Sequence, residues 1–121
     1  MTEPLRLRRG DIVWVSCEPS VGAEPKKVRT CVVVSNDVAN QFGQVVTVIP
    51  TQRFTKERAA RSFMVDLRSP RSNLTVERVA NASMITSYDR SRVVKRAGSV
   101  NRATLERVDA ALRLHLGLEE P

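Results

Sequence analysis

Residues 30–35 read T-C-V-V-V-S, a near-continuous apolar run. A strand with one wet face alternates polar and apolar side chains, so an unbroken run marks a central strand covered on both faces. The stretch before it, residues 11–17 (D-I-V-W-V-S-C), alternates instead. It puts Val13, Val15 and Cys17 on one side and Ile12 and Trp14 on the other, with Gly10 as punctuation. Residues 18–29 between the two form a long loop containing Pro19, Gly22 and Pro25.

Further along, residues 36–43 are polar, with room for one helical turn, and residues 44–51 form a third strand. Pro50 cannot donate to a ladder and marks that strand's end. Residues 53–61 are a loop with Arg53, Lys56, Arg58 and Arg61 against Glu57. A fourth strand follows at 62–67 (S-F-M-V-D-L), a turn at 70–73, a short apolar segment at 74–79, and further strands at 83–88 and 92–94 around Asp89. Gly98 then breaks the chain. Ser99 or Asn101 can cap a helix in which Leu105, Val108, Leu112 and Leu116 recur at steps of three and four, and Gly117 stands where a glycine terminates helices. Short strands in succession with one closing helix predict a mainly β fold: a small, strongly curved antiparallel sheet or barrel with the helix packed on it.

At 121 residues the chain has the length of one domain spanning 1–121. With 41% hydrophobic and 27% charged residues it has the composition of a globular chain rather than a disordered one. Lys and Arg number 20 against 13 acids, for a net charge of +7. Residues 101–121 hold three arginines against four acids, so residues 1–100 carry +8. That excess points to an anionic partner, with nucleic acid ahead of membrane because no basic amphipathic helix is visible; charge for solubility alone is the other reading. The one histidine, His115, leaves a histidine metal site without partners and a Ser-His-Asp arrangement without support. Cys17 and Cys31 lie in apolar runs and read as small core residues. There is no Gly-rich phosphate loop and no cofactor motif, and no run approaches the roughly 18 apolar residues of a membrane span. Residues 1–10 are polar and basic, unlike a secretory signal, so the cytoplasm is the expected compartment.

Two loops carry the candidate chemistry. The first brings Glu24, Lys26, Lys27 and Arg29 to a strand mouth, a pattern suited to clamping a phosphate; a solvated loop with an arginine at a strand edge would look the same. The second, residues 53–61, sets basic residues beside Phe54 and ends before Phe63. Single-stranded RNA is bound this way, with bases stacked on rings and cations on phosphates. Phe63 itself reads as core.

These residues carry a resemblance. R-R-G-D-I-V-W-V (8–15), then Pro19, Gly22 and Glu24, then R-T-C-V-V-V-S-N-D (29–37), V-I-P-T (48–51), I-T-S-Y-D-R-S-R-V (85–93), the Gly98-Ser99 step and L-G-L (116–118) occur in one order. That succession resembles the MazF/PemK family from Arg8 to Leu118. The resemblance implies an SH3-like barrel, a homodimeric toxin of a type II toxin–antitoxin pair, and an endoribonuclease that cuts single-stranded RNA, chiefly messenger RNA, at short sequences without a metal or cofactor. In the family, the arginine opening the second long strand and a threonine ending the third carry catalysis, positions that fall on Arg29 and Thr51. The implied partners are single-stranded RNA, a cognate antitoxin with an acidic, partly disordered tail, and a second copy of the chain, with no membrane.

The chemistry suits those residue types. When a 2′-OH attacks the adjacent phosphorus, negative charge builds on the phosphoryl oxygens, and a fixed guanidinium and a hydroxyl donor stabilise it. Arg29 stays protonated and acts as stabiliser rather than base. Glu24 is the available base, with an ion pair to Lys26 or Lys27 as its alternative role. Lys26, Lys27, Gln52, Arg53, Phe54, Lys56 and Arg58 are the RNA-binding candidates. Three features depart from the family pattern. Thr30 follows Arg29 where proline is usual. Thr51 follows Pro50 directly, so either Thr51 or Gln52 takes the family's threonine position. Asn81, Ser83 and Met84 stand where some members place an Arg, an Asp and a Gln. A non-catalytic gyrase-binding toxin resembling CcdB, and a plain nucleic-acid-binding barrel, are the rival readings on the same fold.

Overall fold

The computed structural model describes residues 5–17 and 27–120. Seven strands are β1 (Asp11–Ser16), β2 (Val28–Val33), β3 (Val45–Arg53), β4 (Met64–Asp66), β5 (Arg78–Asn81), β6 (Thr86–Asp89) and β7 (Val93–Ser99). Three α-helices are α1 (Asp37–Phe42), α2 (Lys56–Ala59) and α3 (Arg102–His115). All strand pairs are antiparallel, in the order β4-β5-β3-β2-β1-β7, with β6 paired to β3 off that path. No ladder joins β7 to β4 among the described residues, so the expected curved sheet is present but hydrogen bonds do not close it into a ring.

β2 is the central strand its composition predicts. Val32 and Val34 pack into one apolar cluster with Ile12, Ile49 and the α3 residues Val108, Ala111 and Leu112. Cys31 and Val33 pack into a second, on the opposite face, with Leu7, Val13, Val15, Val46 and Val48. Full burial of one such valine or isoleucine contributes about 1.5–3 kcal/mol. Both faces of β2 are therefore paid for in apolar area.

β3 runs on past Pro50 to Arg53, two residues beyond the strand end at 51 expected from sequence. Its one edge pairs with β2 at Val48–Pro50, and its other edge is shared, by β6 over Val45–Val48 and by β5 over Thr51–Arg53. Pro50 falls in the gap between β6 and β5, where a missing N–H costs no ladder bond. Other boundaries also differ from the sequence reading. The loop at 53–61 contains α2, capped by Thr55, whose hydroxyl accepts from Arg58 N at 3.0 Å. The strand expected at 83–88 splits into a single turn at Ala82–Met84, fixed by the Asn81 side chain, and the short β6. β7 continues through Gly98 to Ser99, so Gly98 lies inside a strand and breaks nothing.

α3 follows its sequence signals. Asn101 Oδ1 accepts from Thr104 N at 2.8 Å. At the other end Gly117 has φ +72°, and its N–H and that of Leu118 reach back to the carbonyls of Leu114 and Arg113 at 3.2 and 2.8 Å, the paired bonds of a Schellman stop. Leu116, expected on the core face, lies past the last turn and is 52% exposed, while Ala111, not among the expected positions, is buried beside Val108 and Leu112. No helix among the described residues is long and apolar enough to cross a membrane.

Candidate active site

Arg29 lies opposite Val15 near the start of β2 and is exposed, while Thr30, opposite Trp14, is buried at 3%. Extending the β2–β3 ladder one step past Cys31 and Pro50 brings Thr30 to Thr51, itself 4% exposed, and their hydroxyl oxygens meet at 2.6 Å. β5 adds a third group. Arg78, paired with Arg53 in the β3–β5 ladder, donates Nε–H to Thr51 Oγ1 at 2.9 Å and Nη2–H to the Thr51 carbonyl at 3.1 Å.

The site is strongly cationic. Burial foremost, then the nearby guanidinium groups of Arg53, Arg29 and Arg58, hold Arg78 below the ordinary arginine range. Among the described residues no carboxylate forms an ion pair with any of these four arginines. Four cations gathered with no ion-paired carboxylate among the described residues form a site for an anion. Arg29, Thr30 and Arg78 line a cleft of about 470 Å³, which has Trp14 and Lys95 among its walls.

Of the candidate residues read from the sequence, Arg29, Thr51, Arg53 and Arg58 gather around Arg78. Arg58 also donates to the Arg53 carbonyl at 2.8 Å, which ties α2 to the end of β3. Gln52 faces a different group, accepting from Asn81 Nδ2 at 3.0 Å. Asn81 Oδ1 in turn accepts from Ser83 N at 3.0 Å, so the positions of the family's second constellation hold a neutral hydrogen-bonded network. Phe54 is half-buried, and the Arg68 guanidinium lies 3.8 Å from its ring centre. Asp66 holds that guanidinium in a fork, with the Nη2–Oδ2 contact at 2.8 Å. Lys27 and Lys56 are exposed at the starts of β2 and α2. Glu24 and Lys26 lie outside the described residues.

Residues 8–116 match the family of PemK-like, MazF-like toxins of type II toxin–antitoxin systems. This chain belongs to that family. The toxin is 38% identical over 118 residues to the endoribonuclease MazF9 of Mycobacterium tuberculosis, an alignment covering 93% of this chain and 98% of that one. It is 26% identical over 114 residues to the endoribonuclease EndoA of Bacillus subtilis, covering 93% and 96%. It shares the fold of an endoribonuclease solved in complex with its cognate antitoxin from a mycobacterial species. There the TM-score is 0.74 at 21% identity, over 95% of this chain and 99% of that one.

Two members of the toxin's site were not singled out by sequence reasoning. Thr30 enters the sequence reading as the first residue of the apolar run and as the replacement of a proline, and Arg78 only as part of the apolar segment at 74–79. Strand period in E-R-V-A (77–80) puts Arg78 on the face of Ala80, but Val79 on the other face is buried as fully, so the local pattern alone does not mark Arg78.

Proposed function

We propose that this toxin is a metal-independent endoribonuclease of a toxin–antitoxin pair that cuts single-stranded messenger RNA at short sequences. The observation that carries the proposal is the gathering of Arg29, Arg53 and Arg58 near Arg78, which binds the Thr51 member of the Thr30–Thr51 hydroxyl pair, beside a cleft that Arg29, Thr30 and Arg78 line. RNA laid across it has the adjacent 2′-oxygen attack phosphorus. The 2′-O–P bond forms, the P–O5′ bond breaks, the 2′-OH proton leaves to a base, and the departing 5′-oxygen takes up a proton. Arg29 and the hydroxyl pair that Thr51 forms with Thr30 stabilise the charge that develops on the phosphoryl oxygens. Glu24 is the candidate base.

In this proposal residues 1–121 act as one toxin domain in the cytoplasm. Lys26, Lys27, Gln52, Arg53, Phe54, Lys56 and Arg58 hold RNA on either side of the cut. A cognate antitoxin with an acidic tail that orders on binding covers the same cations and inhibits by competition. Two copies associate, so the protein sediments at about twice its 13.5 kDa.

Incubating the purified protein with a long single-stranded RNA in excess chelator tests the proposal. Discrete fragments ending in a 2′,3′-cyclic phosphate (or its opened 3′-phosphate) and a 5′-OH are expected, with resistance where the sugar at the cut is 2′-deoxy. A 5′-phosphate product or a magnesium requirement would overturn the metal-free mechanism. No fragments at all would favour a binding protein on the same fold.

A further inference from the structure

We propose that Thr30 is a further catalytic residue, the last hydroxyl of a relay Arg78–Thr51–Thr30 that presents a hydrogen-bond donor to the scissile phosphate; this rests on the RNA-cleaving role above. A threonine hydroxyl has one hydrogen and two lone pairs, and a guanidinium only donates. Thr51 Oγ1 therefore receives the Nε–H of Arg78 at 2.9 Å. The two hydroxyl oxygens, 2.6 Å apart, share one hydrogen. The pair owns two, so one hydrogen points away from it.

The direction follows from polarisation and placement. Bonds strengthen one another when each oxygen accepts from the group before it and donates to the group after it. Starting from the cation, that order runs Arg78 to Thr51, Thr51 to Thr30, and Thr30 outward. Thr30 lines the cleft beside Arg29 and Arg78, and Thr51 is not among its lining residues. Among the described residues the Thr30 hydroxyl has no hydrogen-bond partner other than Thr51. Its hydrogen lacks an acceptor, and a phosphoryl oxygen offers acceptor sites alone. Thr30 transfers no proton; it donates a hydrogen bond that tightens as charge builds. Thr51 and Arg78 act through it as positioning residues. Thr30 replaces the proline usual after this arginine, so the relay is built from this chain's own side chains.

Single-turnover cleavage of one defined single-stranded RNA by wild type, Thr30→Val, Thr30→Ser, Thr51→Val and the double valine variant tests the relay. Thr30→Val is expected to lower kcat on the order of a hundredfold with KM little changed. Thr30→Ser, which keeps the hydroxyl, restores most of the rate. Thr51→Val loses a similar factor, and the double variant is no slower than either single, as groups acting in series require. Wild-type kcat in Thr30→Val beside a hundredfold loss in Thr51→Val would overturn the relay while leaving the ribonuclease intact, and multiplying losses in the double variant would also overturn it. If Thr30→Val does not fold, as judged by circular dichroism, Thr30→Ala takes its place under the same criteria. A wild-type protein that cuts no RNA would remove both the relay and the function beneath it.

Discussion

Gly98 lies directly against the backbone of Ser72: a Cβ at position 98 would stand 2.3 Å from the Ser72 carbonyl oxygen and 2.6 Å from its carbon. Backbone cannot yield as the end of a flexible side chain can. This approach seats β7 on the turn Pro70–Ser72, next to the walls of the Arg29 cleft. Gly98→Ala is expected to destabilise the fold by about 1–3 kcal/mol, lowering the melting temperature by several degrees. A melting curve that superimposes on wild type would show that the strand and the turn part without cost.

Arg29→Ala is expected to abolish RNA cleavage, by on the order of a hundredfold or more, while the melting temperature stays near wild type. The side chain is exposed and adds little to either apolar cluster. Near-normal cleavage in a folded Arg29→Ala protein would remove Arg29 from the mechanism.

Position 52 separates the two alignments of the family's threonine. Gln52 is tied to Asn81 rather than to Arg78. Gln52→Ala is therefore expected to cost less than about tenfold in kcat, against about a hundredfold for Thr51→Val. The reverse order, measured in the same cleavage assay, would shift the catalytic place one residue along.

RNA affinity should fall steeply with salt. Each phosphate contact to a single strand contributes a slope of about 0.7 in log K against log salt. Arg53→Ala and Arg58→Ala are each expected to flatten the slope by about that amount. Arg113→Ala, whose guanidinium is paired with Glu119 at 2.6 Å, should leave it unchanged. Equal slopes in all four proteins would place RNA on another surface.

Burial first, then the neighbouring Cys17, push the Cys31 thiol up from 9.0 to about 12, with Arg29 pulling the other way. Below pH 9 folded and unfolded chains both keep that proton, and the thiol adds no pH dependence. Between 9 and 12 the unfolded chain releases it first, so stability falls, by up to about 1.4 kcal/mol per pH unit. Urea midpoints at pH 8 and 10 are expected to drop further for wild type than for Cys31→Ala. Parallel drops would assign the loss to other groups.

What could be read from the sequence divides along the range of the forces involved. β1, β2 and α3 are visible because apolar period, the Asn101 cap and Gly117 are local signals. β7 is legible at its start, in the strand read at 92–94; its continuation is hidden by Lys95 and Arg96, which face solvent and interrupt the apolar pattern, and by Gly98, whose role is a contact with Ser72 across 26 positions of chain. Arg29 and Thr51 are legible through family resemblance. Arg78 joins them only through the pairing of β3 with β5, and no local pattern states that pairing. The same holds for Thr30, which reads as one more β-branched residue until the sheet brings it to Thr51.

β2 has no wet face along its core, and Arg29 rides near its end. Its amides are expected to exchange with solvent only when the whole molecule opens. The cations at positions 53 and 58 sit instead at the end of β3 and in the short helix α2. In the proposed mechanism the guanidinium that stabilises the cut is thus held by the strand expected to open last, and two of the cations that hold RNA sit on segments nearer the rim.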